Sequence, residues 1–171
     1  MDIERKIMKQ STLTPSSNST AIFSPCRQYR YALIRSWNPK LGLVLFIGLN
    51  PSDANEYEND PTIRRCISFV RQWGFGGLIM VNLFAKVSSK PQVLYTTDDP
   101  IGHENNYYLQ EMGKRAKLCI ACWGNLGDYL SRDQEVVKLF PELYVLGINS
   151  NGQPKHPLYI KKSQDYFLWN S

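Results

Sequence analysis

Histidine is scarce: the chain has two, His103 and His156, so a zinc site built on histidines is not expected. No apolar run approaches the ~20 residues that a membrane-spanning helix needs. No apolar stretch of signal-peptide length opens the sequence, and a cytoplasmic location is the expectation. The glycine-rich P-loop, the G-x-G-x-x-G dinucleotide fingerprint and the G-x-S-x-G nucleophile elbow are all missing. Common triphosphatase, dehydrogenase and serine-hydrolase readings therefore lack support. Cysteine is sparse too, at four. Cys119 and Cys122 have C-x-x-C spacing, but they sit in KLCIACWG, which reads as a buried strand. Residues three apart on a strand point to opposite faces, so the pair is read as core rather than zinc or redox.

What is present fits a globular domain. The 171 residues are 43% apolar, enough for one domain with a sizeable core. The formal net charge of +5 invites a nucleic-acid reading. Residues 1–40 hold seven basic and two acidic side chains, whereas the rest holds thirteen of each. The excess therefore lies in the N-terminal segment. Residues 1–25, with the Ser/Thr-rich stretch QSTLTPSSNST, are expected to be a poorly ordered basic arm ahead of a single α/β domain over 26–171. Such an arm adds nonspecific phosphate affinity or is a solvated tail.

YRYALIRSW (29–37) and LVLFIGL (43–49) read as strands joined by NPKLG in a hairpin. LVLFIGL is continuously apolar, as in a strand covered on both faces. Asp60 and Pro61 open a helix, which WGFGG ends. LIMVNLFA (78–85), LCIACWG and LYVLGI (143–148) are further buried strands. Helices are expected over 103–115 and 126–139, and a closing helix in SQDYFLWN. Residues 86–102 form a long connection, of the kind that often serves as a lid or binding loop. Strands alternating with helices imply a mostly parallel sheet covered on both faces.

Ligands of open α/β sheets bind outside the carboxyl ends of the strands. Polar or aromatic residues follow four strand ends here. They are Asn50 and Ser52, Asn82, Trp123, and His156 in KHPLY. An asparagine offers both a donor and an acceptor, which suits the edge of a nucleobase. Trp123 is a candidate stacking surface, and His156 a candidate donor to a developing anion. Each has a plainer reading: Asn50 before Pro51 as turn chemistry, Trp123 as core, Asp60 as a helix cap. Asp53, Glu56, Glu58 and Asp60 crowd the first loop, either as a solvated acidic loop or as ligands for Mg²⁺.

The series GLNPSDAN, NDPTIRRCISFVRQWGFGGLIMVNLFA, DDPIGHEN, ACWGN and GINSNGQPKHPLYI resembles the uncharacterised bacterial and phage family DUF family 1643. The match runs from about Tyr29 to Ile160 and supplies no activity. A more distant resemblance is to the uracil-DNA glycosylase superfamily, carried by GLNPS, WGF, VNLFA, CWG and HPLY. That resemblance implies a three-layer α/β/α sandwich with a central sheet of four strands, plus an N-terminal hairpin strand. Gly48, Leu49, Asn50 and Pro51 fill its G-[IM]-N-P-G motif, with Ser52 in place of the final glycine. Asn50 takes the water-positioning role and His156 the contact to the base. The base-reading asparagine corresponds to Asn82. The second proline of the family's H-P-S-P motif is missing after Leu158.

The expectation is a nucleobase- or nucleotide-recognising enzyme, hydrolysing an N-glycosidic bond, with Asn50 and His156 catalytic. Ser52, Asp53, Asn82 and Trp123 are the substrate-binding candidates. No cofactor or metal is required, and the expected partner is a nucleotide or nucleic acid rather than a membrane. The alternatives are a non-catalytic binding module with the same pocket and a Mg²⁺-dependent hydrolase using Asp53 and Asp60.

Overall fold

The computed structural model describes residues 18–170. It holds one seven-stranded sheet and three α-helices. The strands are β1 (Asn18–Phe23), β2 (Arg30–Ser36), β3 (Val44–Gly48), β4 (Gly77–Asn82), β5 (Leu118–Ala121), β6 (Tyr144–Val145) and β7 (Phe167–Leu168). The helices are α1 (Pro61–Gln72), α2 (Asn105–Arg115) and α3 (Arg132–Val137). The spatial order is β1-β2-β4-β3-β5-β6-β7. No helix among the described residues is long and apolar enough to cross a membrane.

The sheet is mixed, which corrects the expectation of a mostly parallel one. Strands β4, β3, β5 and β6 form a parallel block. Strands β1, β2 and β7 add to its margins antiparallel. The parallel pairs come from helical crossovers, whereas the short link between Phe23 and Arg30 makes β1 and β2 antiparallel neighbours. The expected β2–β3 hairpin does not form either. Both edges of β3 are taken by parallel partners, and β2 pairs with the outer edge of β4.

Gly76 makes that crossing possible. The β2–β3 link passes over it so closely that a Cβ at Gly76 would fall 1.6 Å from the carbonyl oxygen of Asn38. Trp37 and Asn38 both donate their N–H groups to the Gly76 carbonyl at 2.9 Å.

The real hairpin joins β1 to β2. The expected arm therefore ends earlier than residue 25, since Asn18–Phe23 is strand; its first seventeen residues lie outside the described ones. Ala21 and Ile22 are buried, and they supply the anchor that the polar stretch before them lacks. The expected closing helix is also absent, and Phe167–Leu168 pairs with β6 as β7. The helix expected over 126–139 is a 3₁₀ segment over Asn125–Ser131, broken at Tyr129 and Leu130, followed by the short α3.

Alternation along the central strands divides the core. Val44 and Phe46 of β3, with Leu78 and Met80 of β4, face Ile63, Phe69 and Val70 of α1. Leu45 and Ile47, with Ile79 and Val81, face Tyr108, Leu109 and Met112 of α2 and Val136 of α3. Each such side chain contributes about 1.5–3 kcal/mol by leaving water. Cys119 joins the second cluster and Cys122 the first, so the C-x-x-C pair lies on opposite faces of the sheet.

Candidate functional site

The α1 crossover leaves β3 for β4, whereas the α3 crossover leaves the neighbouring β5 for β6, in the opposite direction and on the opposite face of the sheet. A crevice opens where such connections part, at the carboxyl ends of the strands. A cleft of about 190 Å³ occupies this place. Ligand pockets for drug-sized molecules run to about 300–1,000 Å³. This one admits a single ring or one small polar group.

Gly48–Leu49–Asn50–Pro51–Ser52 forms one wall as β3 ends. The Asn50 side chain fixes this wall to the long connection. Its Nδ2 donates to the Ser88 carbonyl at 2.9 Å and to the Pro51 carbonyl at 3.2 Å. Ser88 N donates in return to the Pro51 carbonyl at 2.9 Å. With Nδ2 so engaged, Oδ1 is what the Asn50 amide has left to offer, and it is an acceptor. Ser88, Ser89 and Pro91 line the cleft, so the 86–102 connection supplies a second wall.

Asn82 ends β4 beside this wall. It is 3% exposed, and its Nδ2 has no partner among the described residues. Its Oδ1 lies over Gly48, where an added Cβ would come within 2.7 Å of it. A side chain at position 48 would displace the amide. Asn105 of α2 holds the backbone below, donating from Nδ2 to the carbonyls of Asn82 and Leu83 at 3.0 and 3.1 Å.

His156 arrives from the far side of the sheet. The segment after β6 doubles back through an Ile148–Pro154 bridge, and Gly124 N donates to the Pro154 carbonyl at 2.9 Å. Arg65 of α1 donates to the Ile160 carbonyl at 2.7 Å and fastens the segment from outside. The Nδ1 of His156 accepts from Leu158 N at 3.2 Å. An imidazole that accepts at Nδ1 carries its neutral-form proton on Nε2. Burial pushes its pKa below the usual histidine value, and the charge of Asp60 only partly offsets this. His156 is thus a neutral donor through Nε2 near pH 7.

The remaining candidates divide. Ser52 lines the cleft. Trp123 also reaches it but is 1% exposed, packs edge-on against Trp169 at 5.6 Å and donates Nε1 to Gln153 at 2.7 Å. Its indole is core that closes one side, not an open stacking platform. Asp53 is exposed and does not line the cleft. The loop that carries it turns its side chains to other tasks. Glu56 is gripped by both Nη atoms of Arg27 at 2.8 and 2.9 Å, and this ion pair pulls its pKa below the usual carboxylate value. Asp60 accepts from Ile63 N at 2.9 Å as the cap of α1 while lining the cleft. Among the described residues, no three His, Cys, Asp or Glu side chains gather as for a metal ion. Of the two carboxylates that the Mg²⁺ alternative invokes, Asp60 lines the cleft and Asp53 does not. Cys122 borders the cleft, but burial pushes its thiol up to about 12 and it stays protonated.

Arg30, absent from the sequence-based candidates, lines the cleft and is 2% exposed. Its Nη1 donates to the Ala54 carbonyl at 2.8 Å, and its Nε has no partner among the described residues. The signal was an arginine at each end of a strand otherwise apolar enough to be buried. Arg35, the second of them, ties the loop down through Asn55, Glu58 and Asn59.

No curated protein and no solved structure matches the chain. A family model described as a protein of unknown function (DUF1643) matches residues 30–158. That span begins at the cleft arginine and ends two residues beyond His156, enclosing every wall of the cleft, and the chain belongs to the DUF1643 family.

Proposed function

We propose that the cleft recognises a nucleobase or nucleotide-like ring and that the protein hydrolyses the N-glycosidic bond of its substrate. One observation carries the reading above the others: the buried, unpartnered Nδ2 of Asn82 in a cleft of single-ring size. A buried donor without a partner costs about 1–3 kcal/mol. A ring carbonyl would satisfy it. Support also comes from the parallel block of β4, β3, β5 and β6, at whose carboxyl ends Asn50, Asn82 and Trp123 reach one cleft.

The proposed chemistry assigns a role to each wall. Asn50 Oδ1 accepts from a water molecule and orients it toward the sugar C1′. The bond from C1′ to the base nitrogen breaks, and its electron pair leaves with the base. His156, neutral, donates from Nε2 to the base oxygen on which that charge develops. The water oxygen bonds to C1′ and loses a proton, for which Asp60 is the carboxylate on the cleft wall. A base in duplex DNA would have to leave the stack to enter.

Oligonucleotides containing uracil, xanthine or hypoxanthine, incubated with the protein and then treated with alkali, should break at abasic sites. Asn50→Ala should reduce that cleavage at least about tenfold. Full activity in this variant overturns the water-positioning role. No cleavage across the panel overturns the hydrolase reading, and retained binding then favours a binding module.

A further inference from the structure

Three arginines hold the 54–59 loop, Arg27 from the exposed β1–β2 turn and the buried Arg30 and Arg35 from β2, but they differ in what balances their charge. Arg27 has Glu56. Arg35 has the Asn59 amide and three backbone carbonyls of the loop and its own strand within ordinary reach. Arg30 has one carbonyl and, among the described residues, no carboxylate within ion-pair distance, although it is the deepest of the three and the one that lines the cleft. Burial pulls its pKa down to about 10, so it remains charged near neutral pH. An unpaired buried charge is among the most costly groups a fold can carry. The loop contact alone would not need it, since a neutral donor can hold a backbone carbonyl.

We propose that Arg30 is the anchor for an oxyanion on the ligand, a carboxylate or phosphate group that enters the cleft beside the first turn of α1. The proposal rests on the cleft being the ligand site, as above, but not on glycosidic cleavage. Thr62 and Ile63 at the start of α1 line the same cleft, and a helix N-terminus favours negative charge. The unpartnered Asn82 Nδ2 and the Nε2 proton of His156 are further donors in the same walls.

Asp60 is the opposing charge to be weighed. It is half-buried, lies on the α1 terminus and donates nothing to an anion. Its field is screened by water, while the buried Arg30 acts through a low dielectric. Asp60 acts on Arg30 more strongly than Arg35 does, but Arg35, itself buried, adds a second positive charge at this end. The balance at the buried end therefore favours an anion.

Calorimetric titration of the full chain with inorganic phosphate, orotate (a pyrimidine bearing a carboxylate), its uncharged carboxamide and uracil tests this. Orotate or phosphate should bind, and orotate at least about tenfold more tightly than the carboxamide, the scale of one charge-assisted hydrogen bond. Arg30→Gln should remove that preference. If the variant does not fold, the orotate–carboxamide comparison on the unmodified protein still decides. Measurable and equal affinity for the acid and its carboxamide, or no binding of either anion, overturns the assignment. Uracil binding without any preference for orotate overturns Arg30 alone. Phosphate binding without uracil binding upholds Arg30 and overturns the nucleobase reading.

Discussion

Replacing Asn82 with leucine should make the protein more stable and less able to hold a ligand. The two side chains are close in shape, with methyl groups standing where Oδ1 and Nδ2 stand. The buried Nδ2 has no partner among the described residues, so the free protein bears a desolvation cost of about 1–3 kcal/mol there. Leucine removes that cost and adds buried apolar surface. Against this, Oδ1 lies close over Gly48, and a methyl is larger than an oxygen. Tight contact of this kind subtracts up to about 1–3 kcal/mol where the surroundings cannot yield. Here one side of the residue is open cleft, so the strain should fall at the low end. For a chain of this length, 1 kcal/mol moves Tm by about 2–4 °C. A rise of roughly 2 °C or more is therefore expected in a calorimetric melt, together with loss of base binding. A fall in Tm with binding retained would refute the reasoning, because it would mean that Asn82 is satisfied in the free protein. A site residue whose removal stabilises the fold is the usual mark of function held at a stability cost.

Gly76→Ala should destabilise strongly, by about 4 kcal/mol or more, because its Cβ meets backbone rather than a yielding side chain; the urea midpoint reads this. Asp60→Ala should cost about 0.5–2 kcal/mol as a lost cap, whereas Asp60→Asn should stay near the parent in the same titration. His156 has its folded pKa below the ordinary 6.5. The unfolded chain therefore binds the proton first, and stability should fall as pH drops below about 6.5 until the folded-state value is passed. His156→Gln should flatten that part of a pH series of thermal melts.

Much of the fold could be read from residue pattern, and the failures have physical causes. The four central strands and α1 carry strong local signals. Continuous apolar runs mark strands covered on both faces, and Asp60-Pro61 marks a helix start. Pairing is a different matter. Nothing local in YRYALIRSW or LVLFIGL shows that β4 will insert between them, since that depends on the parallel partners of β3. Gly76 carries the one hint, legible only once the Asn38 carbonyl is seen against it. The two-residue strand β7 is set by pairing rather than propensity, so SQDYFLWN gave no strand signal.

The cleft followed the same division. Asn50, Ser52, Asn82, Trp123 and His156 meet at one sheet edge because the carboxyl ends of parallel strands must lie together. Asp53 does not join them, since residues of a loop share no such constraint. The state of each group was not legible. That Trp123 is packed as core, that Asn50 ties two loops together, and that Arg30 Nε has no partner among the described residues are facts of tertiary contact.

The central claim is that this cleft binds a nucleobase through groups left unsatisfied in the free protein. A crystal structure of the protein soaked with uracil or xanthine tests it most directly. The account predicts a ring in the cleft with an oxygen within about 3 Å of Asn82 Nδ2 and of His156 Nε2. An empty cleft at saturating base, or a base bound elsewhere while Asn82 stays unpartnered, would contradict it.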